Sequence, residues 1–552
     1  MIRFGHVSFR YSPDGPDVLR DVDLVIDEGQ FVLVTGPTGS GKSTLLGAVN
    51  GHVPHFTGGV LAGRVEVAGL DTEHNPPRDL AHIIGVVGQD PLAGFVTDTV
   101  EEELVYGMEQ LGVAPAVMRT RVEETLDILG LAAVRRRSLR TLSGGQQQRV
   151  AIGSVLTAGA RVLVLDEPTS ALDPVSAEEV LAALLRLVSD IGLTVMVAEH
   201  RLERVVGYAD QVIALDGSGG AALSATREAM AVSPLVPPMI DLARRANLPG
   251  VPLNIREARA MAQDLARRLL PRDPERYDRM APERARSVPG VLEPSPSLTG
   301  LVTTNLRVTY GNLVAVDDVS VAFPAGRITV LMGRNGSGKS SLLWALTGVT
   351  PLAGGSFAVD GTSLGKLSSD KVRRWVRLVP QSAADLLYLP SAGSECDAAD
   401  RENDAEPGRT SALLEALAPG VDPAAHPRDL SEGQKLALVL AIQLAAKPRI
   451  VLLDEPTRGL DYPAKASLAR ILAGVAAEGG AVGVVTHDVE FAAAVADRVV
   501  VMSGGEVIQA GAVSEVLGTS ALFASQVTKV LYPQRWLTPY QVERALEDGD
   551  PL

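Results

Sequence analysis

Gly36-Pro37-Thr38-Gly39-Ser40-Gly41-Lys42-Ser43-Thr44 follows directly on the apolar run Phe31-Val32-Leu33-Val34-Thr35. Such a loop turns successive backbone N–H groups inward on a polyanion, while a lysine reaches the β- and γ-phosphates and a hydroxyl faces Mg²⁺. Here those side chains are Lys42 and Ser43, and a helical pattern with Leu45, Leu46 and Val49 follows, as the motif requires. The loop returns as Gly333-Arg334-Asn335-Gly336-Ser337-Gly338-Lys339-Ser340-Ser341 after Ile328-Thr329-Val330-Leu331-Met332. An ordinary glycine-rich turn has no reason to recur in this setting, so one chain carries two nucleotide sites.

Repetition extends well past the loops. The loops are offset by 297 positions, Gln89 and Gln381 by 292, Ser143 and Ser431 by 288, Asp166 and Asp454 by 288, and His200 and His487 by 287. The drift means that the second copy has lost a few residues. Tyr11 and Tyr310 precede the first strands of their copies and offer a flat face for an adenine ring. Gln89 and Gln381 end short apolar runs, where an amide touches Mg²⁺ or the attacking water. Uninterrupted apolar strands end in Asp166-Glu167-Pro168 and Asp454-Glu455-Pro456, the mark of a parallel sheet buried on both faces. The first acid suits Mg²⁺ through water and the second polarises the attacking water. His200 and His487 each close a further β-rich strand, placed to contact the γ-phosphate and orient the water. The metal set is then Ser43, Gln89 and Asp166 in one copy and Ser340, Gln381 and Asp454 in the other.

Between these elements lie Leu142-Ser143-Gly144-Gly145-Gln146 and its counterpart Leu430-Ser431-Glu432-Gly433-Gln434, each opening a helix. A helix N-terminus with a serine hydroxyl suits a γ-phosphate. Thr97 to Tyr106 reads as a helix with a capping threonine or aspartate and acids in its first turn. The matching stretch of the second copy, Ser394 to Glu406, is acidic and poor in apolar residues, and reads as a solvated loop carrying an inert Cys396.

Composition narrows the class further. With 552 residues and 46% hydrophobic content the chain is globular and holds two to four domains. A formal charge of −15 and a pI near 5.1 argue against a surface that coats nucleic acid. A single cysteine forbids an internal disulfide and fits a reducing cytosol. No secretion signal or membrane-crossing run is evident, so work at a membrane implies a partner. Residues 225 to 300, rich in proline and charge, read as a helical appendix and a flexible connector around Ser287 to Ser297.

The ordered motifs resemble the ATP-binding-cassette ATPases twice over, across roughly four-fifths of the chain. The resemblance implies an α/β fold of two tandem P-loop domains, each a mainly parallel sheet core with an antiparallel β subdomain and a helical subdomain. The domains would be 1–225 and 301–515, with an appendix and linker at 226–300 and a C-terminal helical appendix at 516–552. It also implies ATP and Mg²⁺ as cofactors, and ATP held between the phosphate loop of one domain and the signature of another, the two domains of one chain pairing with each other or, alternatively, with those of a second chain. Asn50-Gly-His-Val-Pro-His-Phe-Thr-Gly-Gly, Thr97-Asp-Thr-Val-Glu-Glu-Glu-Leu and Ala198-Glu-His-Arg-Leu-Glu-Arg-Val resemble the ATPases of energy-coupling-factor importers. Those serve vitamins, vitamin precursors or cobalt and nickel, from the cytoplasmic face of the membrane, with a transmembrane scaffold subunit and a separate substrate-capture protein. By that analogy Glu101, Glu102 and Glu103 receive basic residues of the scaffold; a solvated helix start is the alternative. The rival class is a soluble twin cassette acting on ribosomes, which calls for a basic interdomain arm absent here. The motor of another importer or exporter is the third reading.

Two departures bear on activity. The Ser394 to Glu406 stretch sets the second copy's scaffold contact apart from the first's. Glu432 stands where the signature has its first glycine and would face the ATP held by Lys42. A carboxylate about 5 Å from phosphate charge costs ~3 kcal/mol at an effective dielectric near 20. The expectation is unequal sites, the faster built from Lys339, Glu455, His487 and the Ser143 signature.

Overall fold

The computed structural model describes residues 1–280 and 299–548. The connector expected around Ser287 to Ser297 lies outside the described residues. The chain forms two compact units, Met1–Ile240 with Val251–Asn254, and Asp241–Gly250 with Ile255–Leu552.

In the first unit a six-stranded sheet runs in the order Ala221–Ala225, Gln211–Leu215, Phe31–Thr35, Thr194–Ala198, Val162–Asp166, Ile84–Val87. Neighbours are parallel except for the outermost pair, Ala221–Ala225 with Gln211–Leu215. Every residue of Phe31–Thr35 and of Thr194–Ala198 is buried, as expected for strands covered on both faces. Against this sheet packs a four-stranded antiparallel sheet, Leu19–Ile26, Ile2–Arg10, Val60–Val67, Leu70–Asp71. Phe4, Phe9, Val65, Leu45 and Val164 share the core between them. The helices Val100–Gln110, Pro115–Ile128 and Gly144–Thr157 form the helical part.

The second unit repeats the plan. Its large sheet runs Val376–Val379, Ile450–Asp454, Ala481–Val485, Ile328–Met332, Arg498–Ser503, Glu506–Ala512, the same order with an antiparallel outer strand. Its helical part is Ala392–Glu402, Arg409–Leu417 and Glu432–Ala445. Both units thus have the α/β P-loop architecture that the repeated motifs implied.

One expectation fails here. The stretch read as a solvated loop from Ser394 is largely the helix Ala392–Glu402, capped by the Ser391 hydroxyl, which accepts from the Ser394 N–H. Its acids are held rather than solvated. Glu395 is buried and accepts the N–H groups of Tyr388 and Leu389; Asp400 is buried and accepts from Gly408, Thr410 N–H and the Thr410 hydroxyl. Ala392, Cys396 and Ala399 supply the apolar face, and burial pushes the Cys396 thiol up, so it stays protonated. Glu103 does in the first unit what Glu395 does in the second, accepting from Val96 N–H, Thr97 N–H and the Thr97 hydroxyl.

Residues 255–280 pack within the second unit, against the chain's C-terminal helices. Arg259 donates to the Lys529 carbonyl, Gln534 to that of Ala266 and Gln541 to that of Pro274. Fully buried Trp536 lies against the Tyr277 ring at 5.8 Å.

Candidate nucleotide sites

Each phosphate loop joins the central strand of its large sheet to a helix, Lys42–Val49 or Lys339–Leu346. The turn into the helix is made by Gly41 at φ 96° and Gly338 at φ 94°, backbone that a side chain resists. Lys42 Nζ donates to the carbonyls of Gly36 and Pro37 at 2.9 and 3.0 Å, and Lys339 Nζ to those of Gly333 and Arg334 at 2.8 Å each. The ammonium is thereby held over the loop, close to the helix N–H groups, a concentration of positive potential that suits phosphate.

The Ser43 hydroxyl reaches the carboxylate of Asp166, and Ser340 that of Asp454. Burial holds both carboxyls above the usual range, the serine bonds opposing it. Asp454 Oδ1 is buried without a hydrogen-bond partner among the described residues. An oxygen pair of this kind, hard, desolvated and beside a hydroxyl, fits Mg²⁺. A buried acid with a raised folded value binds its proton more tightly folded than unfolded. Its stabilising contribution is therefore present at low pH and lost as pH rises from the unfolded value through the folded one. Asp454→Asn should accordingly raise the nucleotide-free Tm at pH 7.5 by about 2–4 °C, the shift ~1 kcal/mol gives in a domain of this size, while removing Mg²⁺-dependent turnover there. A lower Tm in calorimetry would show that attraction to Lys339 and the Ser340 bond outweigh burial.

The glutamates that follow, Glu167 and Glu455, adopt φ of 49° and 51°, a left-handed backbone rare for this residue type. Each is tied there by its own N–H, to Ala198 O at 2.9 Å and Val485 O at 2.8 Å. The turn aims the carboxylate at the histidine closing the neighbouring strand. His200 Nε2 lies 3.1 Å from Glu167 Oε1 and His487 Nε2 3.2 Å from Glu455 Oε1, all four side chains nearly buried. His487 Nε2 also meets Asn335 Oδ1 of the phosphate loop at 2.7 Å; Thr38 stands at that loop position in the first unit.

Tyr11 and Tyr310 are half exposed, and the Tyr11 hydroxyl bonds that of Thr44 at 2.9 Å. Gln89 and Gln381 stand exposed just past the strands Ile84–Val87 and Val376–Val379. Ser143 and Ser431 cap the helices Gly144–Thr157 and Glu432–Ala445, in capping boxes with Gln146 and Gln434. Gly144, Gly145 and Gly433 lie in the first turns of these helices. Glu432 is mostly exposed and pairs with Lys435 at 2.9 Å. Lysine, aspartate, glutamate and histidine therefore converge within each unit. The three acids proposed for a scaffold are all engaged inside the first unit: Glu103 as above, Glu102 in the capping box of Thr99, and Glu101 with Arg135 at 2.6 Å. Neither the left-handed glutamates nor the Asn335 contact follows from motif spacing.

The ABC transporter family model matches residues 19–170 and 316–458, a large part of each copy. The chain belongs to the ABC transporter family. A Streptomyces avermitilis protein provisionally named an ABC transporter ATP-binding protein is 53% identical over 99% of this chain and 100% of its own length. One of the same description from Treponema denticola is 30% identical over 92% of this chain and 96% of its own. Among solved structures, a ribosome-bound assembly of archaeal Pelota and ABCE1 is 21% identical, covering 93% of this chain and 80% of that one at TM-score 0.62, a likeness of fold alone. This ABC protein is an ATP-binding ATPase with tandem cassettes, and ATPases of the family use Mg²⁺.

Proposed function

We propose that this chain is the ATP-hydrolysing, energy-coupling subunit of a membrane transporter, and specifically of an energy-coupling-factor importer for a vitamin, a vitamin precursor or cobalt/nickel. The observation that carries the reading is the duplicated site: each unit assembles its own lysine, Mg²⁺-suited carboxylate, glutamate and histidine. Two such sites serve a motor in which each ATP, lying on one phosphate loop, is completed by the other cassette's signature at Ser143 or Ser431. Glu167 and Glu455 take the role of polarising the attacking water, with His200 and His487 orienting it beside the γ-phosphate. Ser43, Asp166 and Gln89 in one unit and Ser340, Asp454 and Gln381 in the other would hold Mg²⁺, which would neutralise phosphate charge. Lys42 and Lys339 hold the phosphates in line. Closure on ATP and reopening after hydrolysis turn chemistry into motion.

No helix of the described residues is long and apolar enough to cross a membrane. In this reading the motion passes to a transmembrane scaffold subunit, with a second membrane protein capturing substrate. The chain then sits at the cytoplasmic face of the cell membrane. The narrower importer assignment rests on the three first-half stretches named above, including Ala198-Glu199-His200-Arg201. Affinity purification from detergent-solubilised cells should bring down small integral membrane proteins, and their deletion should abolish uptake of one micronutrient. Recovery with polysomes, together with ATPase activity stimulated by ribosomes, would replace this reading with the ribosomal one.

A further inference from the structure

Beside the first unit's Glu167–His200 pair lies a buried carboxylate with no assigned task. Glu199, 2% exposed, precedes His200 in the chain. Its Oε1 accepts from the Thr169 N–H at 3.0 Å and from the Thr169 hydroxyl, while its Oε2 has no hydrogen-bond partner among the described residues. Thr169 lies two residues after Glu167, on the turn that leads into Ser170-Ala171-Leu172-Asp173. Arg204, from the helix Leu202–Val205 beyond the histidine, donates to the Thr169 carbonyl at 2.7 Å and to its hydroxyl at 3.3 Å, and reaches the Leu172 carbonyl at 3.3 Å. The threonine hydroxyl thus donates to the carboxylate and accepts from the guanidinium, and the turn is gripped from both sides.

The second unit makes the same junction from different residues. At the offset of the two histidines, Glu199 corresponds to Thr486 and Arg204 to Phe491. There Thr486 meets Thr457 through a single hydroxyl pair at 3.1 Å, and Phe491 is buried. A fully desolvated carboxylate is costly to keep unless it does something a threonine cannot. We propose that Glu199 and Arg204 are positioning residues that fix the turn bearing Glu167 against the turn bearing His200 in the first cassette, so that the water-polarising pair is preorganised. This rests on the reading of Glu167 and His200 as the hydrolytic pair, and extends it to two residues that need not touch nucleotide.

The test is ATP turnover of the full chain with its membrane companion, in a Glu455→Gln background so that the first site is read. Glu199→Ala and Arg204→Met should each lower kcat tenfold or more with KM for ATP within twofold. Glu199→Gln, which keeps the acceptor and alters only the unpartnered oxygen, should stay within threefold of its parent. If Glu455→Gln alone leaves too little turnover to read, the same comparison is made in the Glu432→Gly, Glu455→Gln background, where the first site is expected to be faster. Should Glu199→Ala prove insoluble, the half-buried Arg204→Met carries the comparison. Alanine or methionine variants within twofold of the parent, a loss expressed in KM rather than kcat, or a glutamine variant as impaired as the alanine one would overturn the proposal. In parallel, Glu167→Gln in the same background reports on the underlying reading: if it leaves turnover untouched, the hydrolytic assignment itself fails, whereas a silent Glu199→Ala beside a dead Glu167→Gln sinks only the positioning role.

Discussion

Glu455→Gln is expected to lower ATP turnover to a tenth or less of the native rate, while Glu167→Gln leaves more than half of it. Both glutamates are built alike, left-handed at the strand end and about 3 Å from a buried histidine, so the asymmetry must come from what completes each site. In the proposed motor Lys42 works opposite the second signature, where Glu432 replaces glycine. At ~5 Å and an effective dielectric near 20, that carboxylate costs ~3 kcal/mol against phosphate. Lys435, 2.9 Å from Glu432 Oε1, offsets part of it. A surface pair of this kind returns no more than ~1 kcal/mol, so ~2–3 kcal/mol remains, about thirtyfold or more in rate or affinity. Glu432→Gly should therefore raise the first site's share, and Glu167→Gln should become costly in that background. Phosphate-release assays on the four variants decide it. Glu167→Gln silencing the native chain while Glu455→Gln leaves it active would reverse the assignment.

What the sequence made legible was whatever depends on local pattern. Glycines at fixed spacing, apolar runs ending in acids and the recurrence of both along the chain led to two P-loop units of the same strand order. What it hid was whatever depends on where a polar group finds its partner. The acids of Ala392–Glu402 looked solvated because only folding reveals that Tyr388, Leu389, Gly408 and Thr410 donate to them. For the same reason Glu101, Glu102 and Glu103 read as either a landing patch or a solvated helix start, whereas one pairs with Arg135, one caps its own helix and one is buried. Position along the chain did offer one usable clue. At a fixed offset Glu199 corresponds to Thr486 and Arg204 to Phe491, so both groups that hold Thr169 change between the copies. Paired change at two linked positions is what an alternative version of one tie looks like.

Gly338→Ala should abolish nucleotide binding at the second site and lower the Tm by about 6 °C or more, whereas Gly361→Ala shifts it by a few degrees at most and spares turnover. The two glycines separate two costs. Both have positive φ, 94° and 79°, and a left-handed backbone costs a residue with a Cβ ~1–2 kcal/mol. At Gly361, in the short turn before Thr362–Ser363, an added methyl meets nothing within 4 Å among the described residues, so that strain is the whole effect. At Gly338 the methyl is driven into the backbone carbonyl of Ala315, on the strand Leu313–Val319, and touches Val316. A carbonyl cannot step aside as a side-chain tip can, because its strand is hydrogen-bonded to Leu301–Tyr310. The loop must yield instead, carrying Lys339 Nζ off the carbonyls of Gly333 and Arg334 that hold it. Clash and strain together come to ~3 kcal/mol or more, in the range of the severe single substitutions. Because the faster site is lost, turnover should fall as far as in Glu455→Gln. Equilibrium binding of a fluorescent ATP analogue should show one occupied site per chain in place of two. Two sites of native affinity in Gly338→Ala would mean that the tight turn is dispensable and that the ammonium alone holds the phosphates.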